Sequence, residues 1–450
     1  MRNIRSRSGS FPGTKIRRQW VSRAVRHPEP ARRKPLATID RSLYRIVGLT
    51  ILAFLVFGLM AEGPGPALAG FLRLQTAPSR LLTDFAAVAG PGAAMFNAGV
   101  VGSLGLFYLR LHKIRLSGPT LAAVFIMAGF GLFGKTLLNC IPILLGVELA
   151  AKVAGKPPSG YVLIGMFGTS LGPMVSFLAF ETGLPPFAAF ALSIAGGIAA
   201  GLLLPALGIA MLHLHQGYVL YNIGLTAGFL ALFAAGIIEA AGGKLPLSWE
   251  LYEGHDVFMT WLVPALAAGL IIAAYALGKG KTLRDFLAVQ KLSGRLPSDF
   301  IELVSLPGTL LNMGVVGLIG YVYVRAIGGT VSGPILGALI TMMGFAAFGK
   351  TVRNILPVMA GALIATLVFG MDPASADALM IILFCTGLAP LAGEFGPGVG
   401  MVAGFLHFVM ADRTALWHGG MALYNNGFAA GLTAALIVAV IEWYRSSRID

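Results

Sequence analysis

Long apolar runs, separated by short clusters of Gly, Pro and charged residues, fill the chain beyond residue 43. In the first half they cover about 44–61, 92–111, 117–134, 136–154, 160–180, 186–212 and 217–240. In the second they cover about 257–278, 308–327, 332–349, 351–370, 376–393, 395–411 and 418–443. Most approach the ~20 residues that a helix needs to cross a ~30 Å hydrocarbon core, and they do not alternate as barrel strands would. The pattern predicts an all-α, polytopic transmembrane helical bundle. The third segment is short: residues 117–133 make ~25 Å of helix at ~1.5 Å per residue. Segments three and four therefore read either as two spans or as a re-entrant pair of half-helices.

The two sets of segments are copies. Residues 97–146 align without gaps on 312–361, with 23 identities in 50 positions. NAGVVG at Asn97 meets NMGVVG at Asn312, SGP at Ser117 meets SGP at Ser332, and GFGLFGKTLLNCIP (Gly129–Pro142) meets GFAAFGKTVRNILP (Gly344–Pro357). Shared apolar composition does not explain matched Asn, Lys, Thr, Arg and Pro at fixed spacing. The likeness continues with small shifts through FGTSLGP at Phe167 and FCTGLAP at Phe384, then HQGYVLYNIGLTAG at His215 and HGGMALYNNGFAAG at His418.

An odd number of segments per half predicts that the halves enter the membrane in opposite directions. Charge in the connections fits this through the positive-inside bias. Arg110, Lys113 and Arg115, then Lys152 and Lys156, fall inside, whereas the second half keeps Arg325 and carries Asp372 and Asp377 at the matching places. Glu239, Glu250, Glu253 and Asp256 fall outside; Lys279, Lys281, Arg284, Lys291, Arg295 and the terminal Arg445 and Arg448 fall inside. The expected organisation is a basic cytoplasmic tail (1–43), membrane repeat one (44–243), an extracytoplasmic linker (244–256), membrane repeat two (257–445) and a cytoplasmic C-terminus (446–450).

Composition narrows the class. The chain is 56% hydrophobic and only 12% charged, against about a quarter charged in soluble domains. The net charge of +14 is concentrated: residues 1–45 hold 13 Lys and Arg against Glu29 and Asp40. Such a tail is expected to be solvated and drawn to anionic lipid headgroups; it carries no recognisable nucleic-acid module. Cys140 and Cys385 lie in apolar segments without a CxxC pattern, and the His residues lack ligand spacing, so neither a metal nor a cofactor is expected. GxSxG at a strand–helix turn and HExxH are absent, which argues against an enzyme.

Inverted halves place a solute path where they meet, so candidate site residues are polar groups kept in both copies. Asn97 pairs with Asn312, Asn139 with Asn354, and Asn222 with Asn425; each amide must find partners in a bilayer, as interhelical glue or as a polar lining. Tyr221 and Tyr424 precede the last pair and could stack on a planar solute. Thr169 and Thr386 stand before Pro173 and Pro390, where a hydroxyl either coordinates a solute or re-satisfies a broken helix. His215 and His418 are read as capping or packing groups rather than proton relays. No retained carboxylate pair is evident; Glu148 is unrepeated, and Glu394, in LAGEFGPGVG, is the coupling candidate. The sharpest repeated feature is FGKT, with Lys135 and Lys350. Should each motif turn back inside the membrane, the following helix would aim free N–H groups inward and the two lysines would converge on an anion or carbonyl oxygen. The opposing reading has each lysine snorkelling to its own interface.

NxGVVG, SGP, FGKTxxNxxP and LYNxGxxAG together resemble an uncharacterised family of duplicated bacterial membrane proteins, over about 90–445. The resemblance implies a multi-pass protein of the bacterial inner membrane without assigning an activity. LYNIGLTAG and LYNNGFAAG also resemble a glycine-rich stretch of urea transporters, built from two inverted halves. The function expected is transport, channel-like or secondary, of a small polar solute; a membrane-embedded enzyme or lipid-handling protein using the same cavity is the alternative. Expected partners are the bilayer, the solute and a second copy of the chain.

Overall fold

The computed structural model describes residues 36–81, 83–245 and 250–447. Most of the basic tail, together with Arg448, lies outside them. The described residues form helices joined by short connections, without a β-sheet. Ten helical segments are long and apolar enough to cross a membrane, which makes the chain a multi-pass membrane protein. Large apolar side chains such as Phe187, Ile237, Val257 and Ile272 are exposed along them, as a lipid-facing surface requires.

The first half comprises α1 (Leu36–Glu62), α2 (Pro64–Gln75), α3 (Phe85–Ala89), α4 (Pro91–Leu111), α5 (Gly118–Phe130), α6 (Leu137–Val153), α7 (Val162–Gly168), α8 (Gly172–Phe180), α9 (Pro186–His215) and α10 (Asn222–Ala240). The second follows the same order: α11 (Val257–Gly278), α12 (Thr282–Val289), α13 (Phe300–Leu303), α14 (Leu306–Ala326), α15 (Gly333–Phe345), α16 (Val352–Val368), α17 (Ala376–Phe384), α18 (Ala389–Phe395), α19 (Pro397–Trp417) and α20 (Asn425–Ser446). The pairs α7–α8 and α17–α18 each make one span, interrupted by 3₁₀ turns at Thr169–Leu171 and Cys385–Leu388. Pro173 and Pro390 sit just past these breaks, where the missing N–H would disrupt a continuous α-helix.

Segments three and four form a helical hairpin whose first helix is too short to cross a ~30 Å core. Helix α5 has 13 residues, ~20 Å of rise. It packs antiparallel to α4, with Gly105 against Met127 and Gly102 against Ala128. Helix α6 then returns beside α4. Near the start of α4, Asn97 holds the α5–α6 turn; near its end, Tyr108 and His112 meet Glu148. The pair is a hairpin that enters and leaves at one end of α4, and α15–α16 repeats it.

The core lies where the hairpins meet. All of α15 is buried, and all of α5 except Pro119. The α5–α15 contact reads the same from either half. Gly129 abuts Gly337, and their repeat equivalents Gly344 and Ala122 also touch; Gly118 abuts Ala347, and Gly333 abuts Leu132. Early residues of each helix face late residues of the other, so the two run antiparallel about a local two-fold. Backbone proximity also recurs at the outer contacts. A Cβ on Gly146 would come within 2.2 Å of the Ile198 carbonyl, and one on its equivalent Gly361 within 1.9 Å of the Met401 carbonyl. Only glycine permits those approaches.

Candidate functional site at the meeting of the two halves

The FGKT motifs form the turns of the hairpins. Thr136 and Thr351 cap α6 and α16, accepting from the N–H groups of Asn139 and Asn354, whose side chains return the bond to the cap backbone. The Asn97 amide donates to the carbonyls of Gly131 (2.7 Å) and Lys135 (2.8 Å); Asn312 donates to those of Ala346 and Lys350, both at 2.8 Å. The Asn139 amide reaches Gly134, Ser79 and Ser176, and that of Asn354 reaches Gly349 and Ser293. Asn222 and Asn425 tie His215 and His418 to the carbonyls of Gly208 and Ala411. All six amides thus have protein partners for donor and acceptor alike, and they build the scaffold around the turns.

Two repeated pairs escaped the sequence reading. Gln75 donates to Asn97 Oδ1 and accepts from the Leu137 N–H, and Gln290 does the same with Asn312 and Val352. The N–H groups expected to lie free at the start of α6 and α16 are therefore taken by the threonine caps and by these glutamines. The second pair is acidic and corrects the expectation that no carboxylates are retained. Asp84 and Asp299 stand 215 residues apart, just before the aligned block, each followed by Phe. Asp84 accepts from the N–H of Gly333, and Asp299 from the N–H of Gly118. Each carboxylate thus caps the first hairpin helix of the other half, at its positive end. Burial pushes the Asp84 carboxyl up to about 6 and raises Asp299 as well, partly offset by these backbone donors.

Inside this frame Lys135 and Lys350 are fully buried. Neither snorkels to an interface, and among the described residues no carboxylate pairs with either. Lys135 Nζ lies over the Phe130 ring at 5.1 Å; Lys350 Nζ lies over Tyr221 at 4.9 Å and donates to its hydroxyl at 2.5 Å. The rings join the lysines into one cluster. Phe130 packs on Tyr424 (5.1 Å between centroids), Tyr424 on Tyr221 (4.9 Å), and Tyr221 on Phe345 (4.9 Å). The tyrosines arrive from opposite halves on the short irregular stretches leading into α10 and α20. Those stretches are pinned across the halves, with the Leu220 N–H on the Gly387 carbonyl and the Leu423 N–H on the Ser170 carbonyl, at the breaks of the interrupted spans. Thr169 and Thr386 stand in the same breaks, their hydroxyls bonded to the carbonyls of Met166 and Leu383. Cys140 and Cys385 are free and buried.

Glu394 lies apart, exposed at the end of α18, in the electrostatic neighbourhood of Tyr218 that also holds Arg295, Glu442 and Arg445. Glu148 is bonded to Tyr108 and lies 2.8 Å from His112.

With ten apolar segments, two repeated helical hairpins and a buried polar centre shared between halves, the fold defines a duplicated multi-pass membrane protein. Residues 64–240 and 279–443 match the family described as "Protein of unknown function (DUF1576)", and the chain belongs to that family. No curated protein and no solved structure matches it.

Proposed function

We propose that the protein is a transporter or channel of the bacterial inner membrane that carries a small polar solute past the Lys135–Lys350 aromatic cluster. The observation that carries this reading is two fully buried lysines, without carboxylate partners, held against one set of rings at the contact between halves. An ionisable group at membrane depth is costly and rarely retained without a task; here the cost is met twice, on hairpin turns of repeated sequence. The scaffold amides already have their partners, so the solute meets Lys135, Lys350, Tyr221 and Tyr424, with Thr169 and Thr386 beside them, their hydroxyl protons held by backbone carbonyls and their lone pairs left to accept. Antiparallel packing of α5 on α15 and the basic clusters around Arg110 and Lys281 support halves inserted in opposite directions, with both termini cytoplasmic. Every group of the cluster is buried, as in a closed state, and the interrupted spans supply jointed elements that could open it to either side.

A solute that binds the folded state alone raises the unfolding temperature. Purified full-length protein should be stabilised by at least one member of a panel of small neutral, anionic and cationic solutes, and the shift should shrink in the Tyr221→Phe and Tyr424→Phe proteins. A flat response across all three classes contradicts the reading.

A further inference from the structure

The two halves of the cluster are built alike but bonded differently. Each corner combines a lysine and a threonine from one half with a tyrosine from the other. At the first corner, Lys350 donates to Tyr221, and the hydroxyl of Thr386 bonds to the Leu383 carbonyl. At the second, Lys135 and Tyr424 do not pair. Lys135 Nζ has a Met127 sulfur at 3.8 Å, a soft and weak acceptor. The Tyr424 hydroxyl is buried without a hydrogen-bond partner among the described residues. Thr169 turns to Met127 and Met166. Both Lys135 and Tyr424 flank the Phe130 ring. A buried ammonium with only a weak sulfur acceptor and a buried phenol with no partner, both set against one ring, are a costly combination, and one negative charge reached by both would satisfy them.

Resting on the reading of this cluster as the solute site, we propose that the Lys135–Tyr424 corner binds a small monovalent anion, accepting from Lys135 Nζ and the Tyr424 hydroxyl. Helix α20 begins immediately after Tyr424 without a side-chain cap and adds the positive end of its dipole. The bonded Lys350–Tyr221 pair is the same corner in its self-satisfied form, with the phenol oxygen standing where the anion would accept. Exchange between the two forms would pass one anion across the pseudo-two-fold from one lysine to the other.

The test is a titration of full-length protein in detergent with formate, nitrate or chloride, and separately with urea, at ionic strength held constant with gluconate, following the unfolding midpoint. At least one of the three anions should raise the midpoint saturably. Tyr424→Phe should weaken that response tenfold or more, Lys135→Met should abolish it, and Tyr323→Phe, outside the cluster, should leave it unchanged. Tyr424→Phe removes only an unpaired hydroxyl, so it decides the matter should Lys135→Met fail to fold. An anion response unchanged in the Tyr424→Phe protein overturns the proposal. A response to urea alone, or no response to any of the three anions by folded protein, overturns the anion while leaving the central solute site standing; that site falls only when the cationic solutes of the wider panel fail as well.

Discussion

Replacing Asn97 by Leu tests whether the repeated amides are scaffold. The change deletes the donor bonds to the carbonyls of Gly131 and Lys135 and the acceptor for Gln75. Those carbonyls lie in the turn that carries Lys135, and Asn97 is fully buried, so water cannot take over. Interhelical hydrogen bonds in membrane proteins average ~0.6 kcal/mol and reach ~1.7. Three of them put the loss at about 2–5 kcal/mol, a large share of an ordinary stability of about 5–15 kcal/mol. Asn312→Leu breaks the equivalent bonds to Ala346, Lys350 and Gln290, so the two variants should agree within about 1 kcal/mol. Reversible denaturant unfolding in mixed micelles measures both. A stability within 0.5 kcal/mol of the parent for either variant (about the effect of an ordinary surface substitution) would refute the assignment and return these amides to the solute path.

Further predictions follow from the same contacts. Tyr108→Phe removes a hydroxyl bonded to Glu148 and should cost ~1–3 kcal/mol, whereas Tyr323→Phe, its repeat equivalent, removes an unpartnered hydroxyl and should be neutral or stabilising in the same unfolding assay. Gly361→Ala drives a methyl to within 1.9 Å of the Met401 carbonyl and should destabilise by ~1–3 kcal/mol; Gly236→Ala, which meets nothing within 4 Å, should not. Asp84 has its folded pKa raised to about 6, against ~3.9 unfolded. The folded state alone takes up this proton between about pH 6 and 4, so the carboxyl makes folding more favourable as pH falls through that window, by ~3 kcal/mol in all. Asp84→Asn should remove that component from the pH profile of stability, and an unchanged slope between pH 4 and 6 would count against a buried cap.

Much of this architecture is legible in the sequence because a bilayer makes hydrophobic length a direct signal. The segment read as 92–111 is helix Pro91–Leu111, and 186–212 is Pro186–His215. Length also flagged α5, and the repeat extends the point to α15; the ~20 Å of either helix cannot cross the core. The short helices α2 and α12 were passed over; α12 is a single eight-residue amphipathic helix, and neither makes a long apolar run. Their end residues, Gln75 and Gln290, were missed with them. Asp84 and Asp299 lie outside the ungapped block that exposed the repeat, although the shared RLxxDF pattern at Arg80 and Arg295 could have disclosed them. The lysines were singled out, but their surroundings were hidden. Lys135 and Lys350 follow one sequence offset and Tyr221 and Tyr424 another, so their meeting is set by the crossing of halves. The unequal bonding of the two corners cannot be read from motifs that are nearly identical.

The central claim is passage of a solute through a site shared by both halves, and flux across vesicles reconstituted with the full chain tests it most directly. Stopped-flow light scattering with formate, nitrate, chloride and urea gradients should show at least one solute entering faster than into protein-free vesicles, with the rate falling tenfold or more in both the Lys135→Met and Lys350→Met proteins. Equal rates with and without folded protein for every solute, or an accelerated flux indifferent to both lysines, would contradict it.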